Sequence, residues 1–175
     1  TPPTITCPAD ITNAVADANC EATTVNLGTP ITADNCSVAS VTNDAPTAFP
    51  LGTTTVTWTV TDGAGLQTTC TQAVTVIDTI PPTITCPAAI TNAVADANCE
   101  ATTVNLGTPT TADNCSVASV TNDAPTAFPL GTTTVTWTVT DGAGLQTTCT
   151  QDVTVIDTTP PTITCPADIT NAVAD

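Results

Sequence analysis

The sequence predicts an all-β protein made of tandem sandwich repeats, and three observations carry that prediction. β-Branched residues dominate and no window shows a helical period. Two long alternating segments are joined by a glycine-rich turn. The whole pattern then recurs, without a gap, every 79 residues.

Within the first copy, Thr4 to Cys7, Ile11 to Val15, Ala22 to Leu27 and Val38 to Asn43 read as short strands separated by Pro, Asn, Asp and Gly. Thr53 to Thr61 alternates strictly, placing Val56, Trp58 and Val60 on one face and threonines on the other, the pattern of a half-buried strand. Asp62-Gly63-Ala64-Gly65 supplies turn residues tolerant of positive φ. Leu66 to Ile77 follows with Cys70, Val74 and Val76 in alternation, so the two long segments should form a hairpin. Short strands at this spacing are those of a sandwich.

Thr1 to Thr79 aligns on Ile80 to Thr158, and Thr159 to Asp175 begins a third copy. The expected organisation is therefore repeat 1 over 1–79, repeat 2 over 80–158, and the opening of a third repeat over 159–175. The first two copies differ at four positions: Thr1/Ile80, Asp10/Ala89, Ile31/Thr110 and Ala73/Asp152. The segment is expected to come from a longer array. The competing expectation is that Pro160 to Asp175 is a donor strand completing a neighbouring subunit's sheet. Asp78-Thr79-Ile80-Pro81-Pro82 joins the copies, and its prolines should keep the link extended and stiff.

Composition narrows function. The chain has 16 acidic residues and no Lys, Arg or His, for a formal charge of −16. A surface of this sign repels nucleic acid and anionic lipid, and makes cations the natural partners. No apolar run is long enough to span a bilayer, so membrane insertion is not expected. Catalysis is nearly excluded by inventory. Only carboxylates, thiols and hydroxyls remain, with two Trp and two Phe and no Tyr to build a sugar-binding cleft. A core of Val, Ile, Leu and Ala in a repeat of this size needs staples. Nine cysteines can supply them, and their regular spacing without His reads as a disulfide framework in a secreted or cell-surface protein. Structural zinc is disfavoured because no Cys-x-x-Cys pair occurs.

The run Pro3-Thr4-Ile5-Thr6-Cys7-Pro8, then Asp34-Asn35-Cys36, Phe49-Pro50-Leu51-Gly52 through Asp62-Gly63-Ala64-Gly65, and Thr69-Cys70-Thr71 resembles the hyalin repeat (HYR) family across essentially the whole chain. The Thr-rich repetition is most similar to bacterial versions. Leu66 departs from the family, which often has Asn there. The resemblance implies immunoglobulin-like β-sandwich modules arranged end to end, in extracellular proteins concerned with adhesion or structure.

In such a sandwich the first and last strands lie parallel and adjacent. The resemblance therefore favours Cys7 with Cys70 and Cys20 with Cys36, and in the second copy Cys86 with Cys149 and Cys99 with Cys115. The loop-entropy model gives about 4 kcal/mol for the longer bridge and about 3 for the shorter. The alternative joins Cys36 to Cys70, Cys20 to Cys86 across the joint, and Cys99 to Cys165. Spacing does not decide between them.

Asp17, Asp44 and Asp78 should fall at the end of repeat 1 that faces repeat 2, with Asp113 and Asp141 on the facing end. Hard oxygen ligands from both sides could hold a Ca²⁺ ion. The plainer alternative is that each Asp caps its own turn. Asn35-Cys36-Ser37 and Asn114-Cys115-Ser116 fit the N-glycosylation pattern, and Thr79 and Thr158 at the joints could carry O-glycans. The leading functional expectation is a structural fibre or surface stalk whose partner is the chain itself, each module being roughly 35 Å long. The competing expectations are an adhesin contacting glycan or a cell-surface protein through avidity, and a passive spacer for a separate adhesive domain.

Overall fold

A computed structural model describes residues 1–168 of the chain. Repeat 1 contains β1 (Thr4–Thr6), β2 (Ile11–Val15), β3 (Glu21–Ala22), β4 (Ile31–Ala33), β5 (Val38–Asn43), β6 (Phe49–Pro50), β7 (Gly52–Asp62) and β8 (Gln67–Ile77). Repeat 2 reproduces them as β9 (Thr83–Thr85), β10 (Ile90–Val94), β11 (Glu100–Ala101), β12 (Thr110–Ala112), β13 (Val117–Asn122), β14 (Phe128–Pro129), β15 (Gly131–Asp141) and β16 (Gln146–Ile156).

Each repeat is organised on its long hairpin. β7 and β8 pair antiparallel from Gly52↔Val76 to Thr61↔Gln67. Asp62 closes the turn, its Oδ1 accepting from the N–H groups of Ala64 (2.8 Å) and Leu66 (2.9 Å), while Gly65 takes φ +85°. β5 flanks β7 antiparallel and β2 flanks β8 parallel, giving a four-stranded sheet in the order β2-β8-β7-β5. Alternation turns Val56, Trp58, Val74 and Val76 to one face. Ala22, Phe49 and the partly buried Ile5 and Cys7 pack on that face from the two-stranded sheets β1-β4 and β3-β6. This is the predicted all-β sandwich, repeated in tandem.

The opening strand is split. β1 runs antiparallel to β4, and β2, after Pro8 has interrupted the chain, crosses to run parallel with β8. Proline has no N–H to offer a ladder, so the break falls naturally there. The stretch from Ala22 to Leu27 departs from the expected strand. Only Glu21–Ala22 is laddered, against Phe49–Pro50. Beyond it the Leu27 carbonyl accepts from the Gln72 side chain, and Gly28 at φ +76° turns the chain away, although Val25 and Leu27 still pack on the core.

Gln72 occupies the same inward face as Cys70, Val74 and Val76, and is fully buried. A buried amide is tolerated only when its polar atoms are paired. Its Oε1 accepts from Trp58 Nε1 (3.1 Å), and its Nε2 donates to the carbonyls of Ala9 (2.7 Å) and Leu27 (3.1 Å). The first bond lies within the hairpin, and the other two tie it to two covering segments. Gln151 makes the same bonds to Trp137, Ala88 and Leu106 in repeat 2.

Two of the four differences between copies are spatial neighbours. Asp10 Oδ1 accepts from the Ala73 N–H in repeat 1 (2.8 Å), whereas repeat 2 has Ala89 and moves the carboxylate to Asp152, which accepts from the Thr134 hydroxyl (2.7 Å). Each repeat keeps one carboxylate at this place, and neither sets two like charges side by side. In the opening of the third copy, Thr159 to Asp168 lies in no strand, and Ile163 is exposed. Among the described residues this segment has no strand partner. The remainder of the expected donor strand, residues 169–175, lies outside the described residues.

Candidate functional site at the joint between repeats

The two ends of a repeat are built by different turns. At the end where β8 finishes, Val15 pairs with Ile77, and the Ala16 N–H donates to the Ile77 carbonyl (2.9 Å). The chain then turns through Asp17 to Cys20. Asp17 Oδ1 accepts from the Asn19 N–H (2.8 Å) and its carbonyl from the Cys20 N–H (3.1 Å), leaving Cys20 in the left-handed region at φ 62°. At the opposite end, where β7 turns into β8, the loop before β5 sits against the hairpin turn. Gly63 N–H donates to the Ser37 carbonyl (3.2 Å), and Val38 pairs with Asp62.

This polarity decides the disulfides. Cys7–Cys70 and Cys86–Cys149 form as expected, each with Cα atoms 5.8 Å apart. The expected Cys20–Cys36 bond does not form, and neither does Cys99–Cys115. Cys20 and Cys36 stand at opposite ends of β8, roughly 30 Å apart at the rise of a strand, whereas a disulfide requires Cα atoms within about 7 Å. The alternative scheme also fails, because Cys70 and Cys86 are already committed within their own sandwiches. Cys20 instead bonds Cys115 of repeat 2, with Cα atoms 4.7 Å apart. Cys36, Cys99 and Cys165 carry exposed thiols. Cys99, the counterpart of Cys20, holds the same conformation at φ 63° without a bridge. The turn therefore presents its sulfur before any cross-link is made.

Beside the Cys20–Cys115 bridge, one carboxylate oxygen from each of Asp78, Asp113 and Asp141 lies within 4.8 Å of the others. Each of these side chains spends one oxygen on its own turn. Asp78 Oδ1 accepts from the Ile80 N–H (3.0 Å), and Asp113 Oδ2 from those of Cys115 and Ser116 (both 2.9 Å). Asp141 Oδ1 accepts from Ala143 (2.9 Å) and Leu145 (2.8 Å). Asn114 Nδ2 crosses the joint to the Asp17 carbonyl (3.1 Å) and to Asp78 Oδ1 (3.3 Å). The second oxygens, Asp78 Oδ2, Asp113 Oδ1, Asp141 Oδ2 and Asn114 Oδ1, are buried without a hydrogen-bond partner.

Three of the five candidate ligand residues thus meet. Asp17 reaches the joint only through its main chain, its carboxylate serving its own turn. Asp44 is elsewhere, because it follows β5 beside the middle of β7, where its Oδ1 accepts from the Thr57 N–H (2.6 Å). Asn114, read as a glycosylation acceptor, is instead a joint residue. A glycan on Nδ2 would leave one N–H where two now bond repeat 1. Asn35, its counterpart, is exposed, as are Thr79 and Thr158. An amide gives no charge signal in sequence, so the place of Asn114 at the joint is visible only in the fold.

The opposite end of repeat 1 carries Asp34 and Asp62, the counterparts of Asp113 and Asp141. Thr1, Asp34, Asn35, Cys36, Asp62 and Gly63 line an open cavity of about 350 Å³ there, and the Thr1 hydroxyl donates to Asn35 Oδ1. The N–H of Cys36, with that of Ser37, holds the Asp34 carboxyl below its ordinary value of 3.8.

The HYR domain family model matches residues 1–76 and 77–155. "Hyalin" of Lytechinus variegatus is 32% identical over 184 residues, covering 99% of this chain and 35% of its own length. "Hyalin" of Strongylocentrotus purpuratus is 37% identical over 202 residues, covering 99% of this chain and 15% of its own length. The chain thus spans about a third or less of these relatives. Among solved structures, human mucin-like protocadherin EC1-2 aligns over 88% of this chain and 98% of its own at 13% identity and a TM-score of 0.46.

Proposed function

The chain belongs to the HYR-domain family, and from that premise we propose that it is a structural segment of a secreted fibre or surface stalk, its repeats locked head to tail. The observation that carries this reading is the Cys20–Cys115 bridge. A bead on a flexible string needs one covalent link to its neighbour. This joint has two, the Asp78–Pro82 backbone and the disulfide, and two links far apart in sequence oppose both bending and rotation.

The bridge joins unlike ends of the repeat, so the same contact can recur. The counterpart of Cys20 is Cys99 and that of Cys115 is Cys36, and each presents its thiol at the end where a further repeat would join. A contact between unlike surfaces propagates an open array rather than closing a dimer. Disulfides on this scale belong to an oxidising, extracellular setting. The hyalin relatives are consistent with a structural role outside the cell.

Electron microscopy of native, unreduced material tests the proposal. Continuous rods with a constant rise per repeat are expected, and they should become flexible on reduction. Isolated beads with freely bending joints in the unreduced sample would overturn the fibre and leave a passive spacer.

A further inference from the structure

We propose that the joint between the repeats is a calcium site, formed by the carboxylates of Asp78, Asp113 and Asp141 with the amide oxygen of Asn114. It rests on the joint geometry alone and stands whether the array serves as fibre, stalk or spacer. Acidic residues are abundant on this chain, and their proximity by itself says little. The decisive observation is burial without partners. Asp141 is 2% exposed and Asp78 8%, yet Oδ2 of each has no donor, and both belong to the carboxylate group whose oxygens converge within 4.8 Å.

Buried anions need a counter-charge or a proton. The chain has no Lys, Arg or His to supply the charge. The unpartnered atoms are all oxygens, and the sulfurs at the joint, those of Cys20 and Cys115, are oxidised to a disulfide. An oxygen-only set from three carboxylates and an amide suits a hard cation. Calcium accepts six to eight oxygens in flexible geometry, whereas magnesium demands a near-ideal octahedron and gives up its waters reluctantly. Hydrogen bonds to the other oxygen of each carboxylate hold the ligands in place, so little ordering remains to be done on binding. Since Asp78 comes from repeat 1 and the other three ligands from repeat 2, the ion would fasten the joint beside the disulfide.

Repeat 1 contains an internal control. Asp62 makes the same turn bonds as Asp141, to Ala64 and Leu66, yet among the described residues it is not part of a converging carboxylate group. The experiment is calorimetric titration of CaCl₂ alone into the oxidised, chelator-stripped 175-residue chain at physiological ionic strength, with MgCl₂ in parallel. The expected result is one saturable calcium site per chain, at least tenfold weaker for magnesium. Asp141→Asn and Asp78→Asn should each weaken it at least tenfold, and Asp62→Asn should leave it unchanged. Calorimetric unfolding of both variants in chelator reads the cost of the altered turn, which should be equal in Asp141→Asn and Asp62→Asn because their turn bonds are the same, so calcium loss confined to Asp141→Asn separates ligation from folding. No saturable binding, equal response to magnesium, or equal loss in Asp62→Asn would overturn the site and leave diffuse counter-ion screening.

Discussion

Pulling the molecule from its termini after removing one intra-repeat bridge reads the joint disulfide as a length. With all three bridges present, tension runs from Thr1 to Cys7, across to Cys70, on to Cys86, across to Cys149 and out to Asp175. That path holds about 50 residues, or roughly 170 Å at about 3.5 Å per residue. Cys20–Cys115 carries no load on it. Cys7→Ser with Cys70→Ser reroutes the force through Cys20 and Cys115, back to Cys86 and across to Cys149. The fully stretched length should become about 75 residues, or roughly 260 Å. Had Cys20 bonded Cys36, the path would hold about 95 residues, roughly 330 Å, and without either bond about 110 residues, roughly 390 Å. Single-molecule force spectroscopy resolves these steps. A plateau near the middle or the longest value would refute the cross-joint bridge and the argument from strand polarity behind it. Full reduction should release the entire chain, roughly 600 Å for 175 residues.

Gln72→Ala should destabilise repeat 1 by about 3 kcal/mol or more, because it strands Trp58 Nε1 and the carbonyls of Ala9 and Leu27 and leaves a cavity. Calorimetry should show one unfolding transition lowered by at least about 10 °C while repeat 2 holds, and Gln151→Ala should do the reverse; a loss below about 1 kcal/mol would refute the network. The depressed carboxyl of Asp34 sets a pH dependence. The folded value lies below the unfolded one, so its contribution is present above the ordinary carboxylate value of 3.8 and is lost as pH falls through the folded value. An NMR titration should find Asp34 below that value, with the acid-side contribution absent in Asp34→Asn; titration at the ordinary value would refute the cause assigned to the Cys36 N–H.

The sequence by itself determined the sandwich. Period-two alternation in Val56, Trp58, Val60, Val74 and Val76 needs only a pleated backbone and water to choose a face, and Asp62-Gly63-Ala64-Gly65 needs only local φ preferences to turn. The repeat, the acidic charge and the presence of a disulfide framework were likewise written in composition and spacing. Placement along the strand axis was not. Whether Cys20 stands beside Cys36 or one β8 length away depends on which ends the intervening strands reach, and four cysteines per repeat are compatible with several answers. The short strands Ile31–Ala33 and Phe49–Pro50 were invisible for a related reason, since each is defined by a partner distant in sequence rather than by its own pattern. The same holds at the joint. Asp44 and Asp78 read alike as turn residues, and only the stacking of one repeat on the next buries Asp78 against Asp113, Asp141 and the uncharged Asn114, because burial is a property of the neighbours a residue acquires.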